Sequence, residues 1–452
     1  MNKPAPIKKT NDLSRPFDVT DIVNADRVEL VALWCDQGMA HLIEVYEKNT
    51  GSTAPAGLVL VDFGTDVLFK SKVLKAELAA PAVAYVVDRL QAQVDNRRAP
   101  FLDGVIVSHQ DTDHWSLLQY LVDEVEDKSW AGQFKVGKVF RGGSDWGKRA
   151  KDTLDNLVKY VSNRNRDYVP WTENTSNYSD PGPRKKVILR IGDVLVRLLT
   201  VNAPVASKKM DMKKNGTTAV IVVEFQGVNW VLPGDATWET LQDANKILKK
   251  AKDRGVSPLQ PCFVLSVPHH GSRRTIVPND RAFDLDFTIA RTFTGYLEPQ
   301  STIASAGIVN SYKHPYKDVL AIFSHYVTSN ANLPHSIVYY VNDGRKWESE
   351  DTTRLVFTTQ LNLDHPIKVA DWRFSLDSNK SPAITSKIFD GITKEYLARR
   401  AEEDETMDID DVFPMSKAMA AEIAGMRFRS ARTAAASGPV RRVVAMARGG
   451  MK

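Results

Sequence analysis

A chain of 452 residues, 43% of them hydrophobic, can bury a large core, enough for one big domain with extensions or for two domains. Its 60 basic and 55 acidic residues leave a formal charge of +5, too small an excess at this length to argue for a nucleic-acid partner on its own. No apolar run reaches the ~20 residues of a membrane helix, Met1 to Pro16 carry no signal-peptide core, and two cysteines (Cys35 and Cys262) in apolar runs argue against a disulfide framework and thiolate metal ligation. The expectation is a soluble, cytoplasmic protein with no membrane contact.

In chain order, residues 1–25 read as a flexible N-terminus. Apolar runs from Val28 to Tyr46 and from Leu58 to Asp62, broken by Gly, Ser, Thr and Pro, predict paired strands. Helical spacing follows from Ala79 to Val94 (Val83, Val86, Val87, Leu90), then an apolar strand (Leu102, Val105, Ile106, Val107) and a helix start at Leu117. A polar insertion from Trp146 to Arg184 holds a predicted helix, Lys148 to Tyr160, and an Asn/Ser/Pro/Gly-rich loop placed to cover a site as a lid. Strand signals return at Val187 to Val201, Ala219 to Val231 and Phe263 to Val267, with a helix over Glu239 to Lys252; the mixture is α/β. After about Leu361 the strand rhythm fades, Ile388 to Glu403 reads as a helix, and the boundaries drawn are 26–360, 361–402 and 403–452. The last stretch reads as a disordered tail, acidic (Glu402 to Asp411) and then basic (Arg427 to Lys452), able to touch phosphate or a protein partner.

The chemistry concentrates in Val107-Ser108-His109-Gln110-Asp111-Thr112-Asp113-His114, four metal-capable side chains in six positions directly behind a strand. In a strand-to-helix turn such residues converge, so His109 and Asp111 can hold one cation while Asp113 and His114 hold a second. Two later strands end in the same way. Val231-Leu232-Pro233-Gly234-Asp235 brings Asp235 to a sheet edge, where it could bridge both ions, and Val264 to Ser272 ends in His269-His270-Gly271, one of whose imidazoles is expected to ligate. Three strands with metal-binding carboxyl ends point to a single site, since ligands in open α/β sheets gather there. Two cations about 3.5–4 Å apart would activate a bridging water for hydrolysis. The carboxylate of Asp111 hardens the first position, which favours Mn²⁺ somewhat and leaves Zn²⁺ open.

This ordered set, HxDxDH behind a strand, strand-Gly-Asp, then His-His-Gly-Ser, resembles the metallo-β-lactamase fold, and within it the hydrolase domain of the competence protein ComEC and its stand-alone relatives. The likeness extends to Val31 to Val45 as a first hairpin with Gln37-Gly38 in its turn, Val61-Asp62-Phe63-Gly64, a strand over Asn215 to Val223, and Asn310-Ser311-Tyr312-Lys313-His314-Pro315. It implies an αββα sandwich over residues 26–360 with a C-terminal extension. It also implies metal ligation by His109, Asp111, Asp113, His114, Asp235 and one of His269 and His270, with Asp62 in support and His314 facing substrate. Two departures stand out: Trp115-Ser116 replaces small residues and would narrow the pocket, and Lys313 replaces a glycine and adds a charge for a phosphate. Arg273 and Arg274 are either a phosphate clamp or a solvated pair.

The resulting expectation is a hydrolase with two divalent cations, Zn or Mn, that cleaves a phosphodiester, in DNA or another nucleic acid, through a metal-bridging hydroxide. Asp113 sits at the catalytic centre, and His314 or Lys313 stabilises charge on a non-bridging oxygen. The same centre with an apolar pocket would serve a lactone, β-lactam or thioester. The non-enzymatic alternative is a metal-stabilised partner-binding module that docks through the charged tail.

Overall fold

The computed structural model describes residues 24–48, 54–65, 74–143, 146–161, 168–170, 187–206, 210–255, 259–279, 285–307, 312–328, 330–341, 345–364, 367–392 and 441–445. The chain opens with β1 (Ala25–Ala32), β2 (Ala40–Glu47), β3 (Gly57–Phe63), α1 (Leu74–Asp95) and β4 (Phe101–Val107). Then come α2 (Leu117–Glu126), β5 (Lys135–Arg141), α3 (Lys148–Val158) and β6 (Tyr168–Pro170). A second series follows: β7 (Val187–Ile191), β8 (Val194–Thr200), α4 (Met210–Asn215), β9 (Val220–Phe225), β10 (Val228–Leu232), α5 (Trp238–Asp253) and β11 (Cys262–Ser266). It continues with α6 (Arg273–Ile276), α7 (Thr288–Leu297), β12 (Ser301–Ala304), α8 (Lys317–Phe323), β13 (Asn330–Val341), β14 (Lys346–Arg354) and β15 (Val356–Thr358). The chain returns to the first sheet with β16 (Ile367–Asp377), β17 (Pro382–Ile392) and β18 (Arg441–Ala445).

Two large sheets result, in the orders β18-β17-β16-β1-β2-β3-β4-β5-β6 and β15-β12-β11-β10-β9-β8-β7, beside the β13–β14 hairpin. Alternation along the strands decides their stacking. Val59, Val61 and Ile106 face inward into one core with Leu189, Val196 and Val222 of the second sheet. Leu60, Val105 and Val107 point outward and are covered by Val86 and Leu90 of α1 and Leu117 and Leu121 of α2. Burying each such side chain contributes roughly 1.5–3 kcal/mol, and the second sheet gains its own cover from Leu241 and Ile247 of α5 and Phe293 of α7. The layering is therefore the αββα sandwich. Parallel pairing of β3 with β4, and of β10 with β11 and β11 with β12, brings the carboxyl ends of all five strands to one end of the sandwich.

The predicted elements up to 361 correspond to observed ones, with α1 starting earlier and α3 ending earlier than their spacing suggests. Asn215 is a correction in detail: it closes α4, and the strand begins at Val220. The reading of the chain beyond Leu361 is corrected more substantially. β16 pairs with β1 from Arg27↔Asp377 to Ala32↔Trp372, and Ile388 to Ile392 ends strand β17 instead of starting a helix. A buried polar network holds β16 there: Arg373 pairs with Glu29 and reaches Tyr85 of α1, whose hydroxyl donates to Glu44 at 2.6 Å. The expected disordered tail contains a strand at Arg441–Ala445 that pairs with β17; the remainder of 393–452, the N-terminal residues 1–23 and most of the expected lid loop lie outside the described residues. Both cysteines are buried and free, and no described helix is long and apolar enough to cross a membrane.

Asp103 on β4 is fully buried; one oxygen accepts the Leu58 N–H at 2.7 Å and the other has no hydrogen-bond partner among the described residues. Burial, partly offset by that N–H, raises its carboxyl from 3.8 to about 7. A folded value above the unfolded one means the folded state binds the proton more tightly, so stability falls as pH climbs from about 4 through about 7. Asp103→Asn keeps the acceptor for Leu58 and removes the titration. Its melting temperature should gain on the parent's progressively between about pH 4 and pH 7 and no further above that; a constant difference across that range would contradict the assignment.

Candidate metal centre

The HxDxDH segment leaves β4 and enters a short 3₁₀ turn at Thr112–His114, with His114 N–H bonding the Asp111 carbonyl at 3.1 Å. The turn sits tightly against the loop after β3: a Cβ on Gly64 would lie 2.5 Å from the Asp113 carbonyl carbon and the His114 and Trp115 nitrogens. Only glycine permits that approach. Trp115 locks the segment from the other side, donating its indole N–H to the Gln110 carbonyl at 2.9 Å while its ring packs between the first sheet and its helices. The expectation that Trp115 narrows the pocket is thereby corrected, and Ser116 ties the loop to Thr65.

Asp235 lies at the centre of the cluster. One of its oxygens, Oδ1, is 3.0 Å from His114 Nε2 and 3.6 Å from His270 Nε2; the other, Oδ2, is 3.3 Å from His269 Nε2 and 3.6 Å from His109 Nε2. Asp113 completes the first side, with Oδ2 3.2 Å from His270 Nε2. Ligand atoms of Asp113, His114, Asp235 and His270 all lie within 4.8 Å of one another. Asp111 completes the second side, 3.8 Å from His109 Nε2. The histidine pair after β11 is divided between the two sides, so both rings join the cluster where a single ligand was expected.

The rings are aimed from behind. His114 Nδ1 is 3.0 Å from Asp62, which also accepts the Ser108 N–H at 2.7 Å, and His270 Nδ1 donates to the Ser305 carbonyl at 2.8 Å beyond β12. Ser108 Oγ lies 3.1 Å from His109 Nδ1. Anchoring Nδ1 fixes the tautomer that turns the Nε2 lone pair into the cluster. His269, His270 and Gly271 all have left-handed backbones, which for the two histidines costs about 1–3 kcal/mol each and swings both rings toward Asp235.

Electrostatics agree with that geometry. Burial opposes charge on Asp235, yet His269, His114 and His270 hold it well below the usual carboxylate range. Asp113, also against burial, is lowered to about 2 by His114 and His270. Burial pushes His109 and His269 down, whereas on His114 and His270 the carboxylates, Asp235 foremost, outweigh burial and raise the rings. His109 Nε2 is buried with no hydrogen-bond partner among the described residues, an orphan lone pair of the kind a cation satisfies. Imidazole and carboxylate donors in this proportion suit a borderline divalent ion, so the residues fit a metal centre.

His314 sits beside the cluster, its ring 5.9 Å from that of His269 and 6.4 Å from that of His270. Burial, then His269 and His270, hold it well below the ordinary histidine value, so it is neutral. Tyr340 N–H donates to the Pro315 carbonyl at 2.8 Å, which pins the His314 loop to β13. Lys313 is exposed, with its ammonium 5.2 Å from the Tyr340 ring centre, and no described contact joins it to the cluster. Arg273 is largely buried, with its Nε 3.4 Å from Asp318. Ser305 and Lys214, whose ammonium is 3.5 Å from Asp111, escape a motif reading: Ser305 is brought in only by the β11–β12 pairing, and Lys214 belongs to a short, polar helix.

Replacing Asp62 by Asn keeps an acceptor for Ser108 and removes the one that His114 Nδ1 uses. We expect divalent-cation affinity to fall about 10–100-fold, measured by equilibrium dialysis of the cation-stripped protein. Unchanged affinity would show that Asp62 does not orient a ligand.

The chain was compared with protein families, with known proteins and with solved structures. The family model described as the metallo-beta-lactamase superfamily matches residues 50–281, just over half of the chain. ComE operon protein 3 from Bacillus subtilis (strain 168) is 28% identical over 135 residues, which are 30% of this chain and 14% of that protein, so this chain spans only a small part of that relative. The crystal structure of the metallo-beta-lactamase fold protein YhfI from Bacillus subtilis aligns over 62% of this chain and 98% of its own at 13% identity, with a TM-score of 0.29. On the strength of the family match, the chain belongs to the metallo-beta-lactamase superfamily, whose members are generally metal-binding hydrolases.

Proposed function

We propose that this hydrolase is a phosphodiesterase that works with two divalent cations, Zn or Mn, and that its substrate is a nucleic acid. The observation that carries the reading is the division of Asp235 between two imidazole–carboxylate groups, each completed by residues from the HxDxDH turn and the histidine pair. Asp113, His114, His270 and Asp235 Oδ1 would hold one cation; His109, Asp111, His269 and Asp235 Oδ2 would hold the other. Bound cations would supply Lewis acidity and lower the pKa of water enough for hydrolysis at neutral pH.

The chain's own residues supply the rest. Asp62 and the Ser305 carbonyl fix the rings, so that no reorganisation is needed when substrate arrives. His314, buried and neutral beside His269, can donate a hydrogen bond to a substrate oxygen without adding charge to the pocket. Lys214 at the edge of the cluster and the exposed Lys313 put positive charge near the site, which favours an anionic phosphodiester over a neutral lactone or β-lactam. Lys313 acts by long-range attraction, since its described neighbour is Tyr340.

The test is turnover of a chromogenic phosphodiester and a chromogenic β-lactam with added Mn²⁺ or Zn²⁺. The diester should be cleaved, the β-lactam left intact, and Asp113→Ala should lower diester turnover by about 100-fold or more. Cleavage of the β-lactam alone would move the reading to an acyl substrate.

A further inference from the structure

The two halves of the cluster are built differently. On the Oδ1 side of Asp235, His114 and His270 are anchored through Nδ1 by Asp62 at 3.0 Å and the Ser305 carbonyl at 2.8 Å, and the four ligand atoms fall within 4.8 Å. On the Oδ2 side, the Lys214 ammonium lies 3.5 Å from Asp111 Oδ1. His269 has no acceptor anchoring Nδ1 among the described residues; instead the Asn215 amide nitrogen lies 3.4 Å from both of its ring nitrogens. His109 Nε2 has no hydrogen-bond partner among the described residues, a feature it shares with His114 Nε2 across the cluster, so the difference between the sides lies in Lys214 and Asn215. A cation on this side must share Asp111 with an ammonium ion and compete with an amide donor for His269. On the other side, Asp113 and Asp235 meet only imidazoles.

We propose that Lys214 makes the two cation positions unequal. The position formed by Asp113, His114, His270 and Asp235 Oδ1 fills first, and the position formed by His109, Asp111, His269 and Asp235 Oδ2 fills in a separate, weaker step whose affinity Lys214 sets. The inference rests on reading the cluster as a cation centre and is independent of the phosphate substrate. Lys214 belongs to the last turn of α4 and is 37% exposed, and Asp111 is 29% exposed, so their attraction is partly screened by water. The effect on cation binding is therefore a few-fold and shrinks with salt. Occupancy of the second position would follow the free cation concentration, while the first stays filled.

The experiment is calorimetric titration of the cation-stripped full chain with Mn²⁺ alone and with Zn²⁺ alone, at low and at high salt. The parent should show a tight step and a weaker one. Lys214→Met should tighten the weaker step about three-fold at low salt, with less gain at high salt, and Lys214→Arg should leave it as in the parent. Asp113→Asn should remove the tight step. Two equal steps in the parent, or a weaker step that Lys214→Met does not move, would overturn the proposal while leaving the cation centre standing. No binding of either cation by the parent would overturn both.

Discussion

One carboxylate organises this molecule's functional end. Asp235 is almost fully buried, with its two oxygens facing different pairs of imidazoles, and a charge so deeply placed is tolerated only because of those partners. Its position follows from the strand before it. β10 is buried throughout and paired on both sides, and two residues after its end Gly234, with a positive φ and a tight fit against Ser108 and Thr218, turns the chain so that Asp235 meets the imidazoles. Every other group in the cluster is arranged around that point.

The surroundings show how much of the fold serves that arrangement. β3 delivers Asp62, β4 the HxDxDH turn, β10 Asp235, β11 the histidine pair, and β12 the Ser305 carbonyl; all five strands end at the same edge. The backbone is forced where the rings need it, with Asp62, His269 and His270 in the left-handed region, and the cost is borne by apolar packing in strands remote from the site. β16 carries none of the cluster. It extends the first sheet beyond β1 and fixes the entrance to the first hairpin, since Asp371 accepts the Trp34 N–H at 2.7 Å.

What was legible in the sequence depended on locality. Strands of period two, the Val83 to Leu90 helix face and the HxDxDH, Gly-Asp and His-His-Gly motifs are each encoded within a dozen residues; they predict an α/β chain and the cluster's members with one of the two adjacent histidines, while the sandwich is what the family resemblance implies. Non-local features were not visible. The Arg373–Glu29–Tyr85 network that seats β16 joins residues far apart, and its polar outer face mixes charge into a strand, so the stretch after 361 reads as a fading sheet. The division of His269 and His270 depends on left-handed dihedrals that no residue type announces, and Ser305 contributes a carbonyl that any residue would offer. Lys214 looks like one more surface lysine until α4 sets it against Asp111.

Asp235 Oδ1, Asp113, His114 and His270 are arranged to enclose a divalent cation. Anomalous diffraction from crystals of the Mn²⁺- or Zn²⁺-loaded protein, recorded on both sides of the metal absorption edge, tests it most directly. The account predicts a strong anomalous peak among those four side chains, bonded to His114 and His270 through Nε2. A cation bound elsewhere in the crystal, with that position empty, would contradict it.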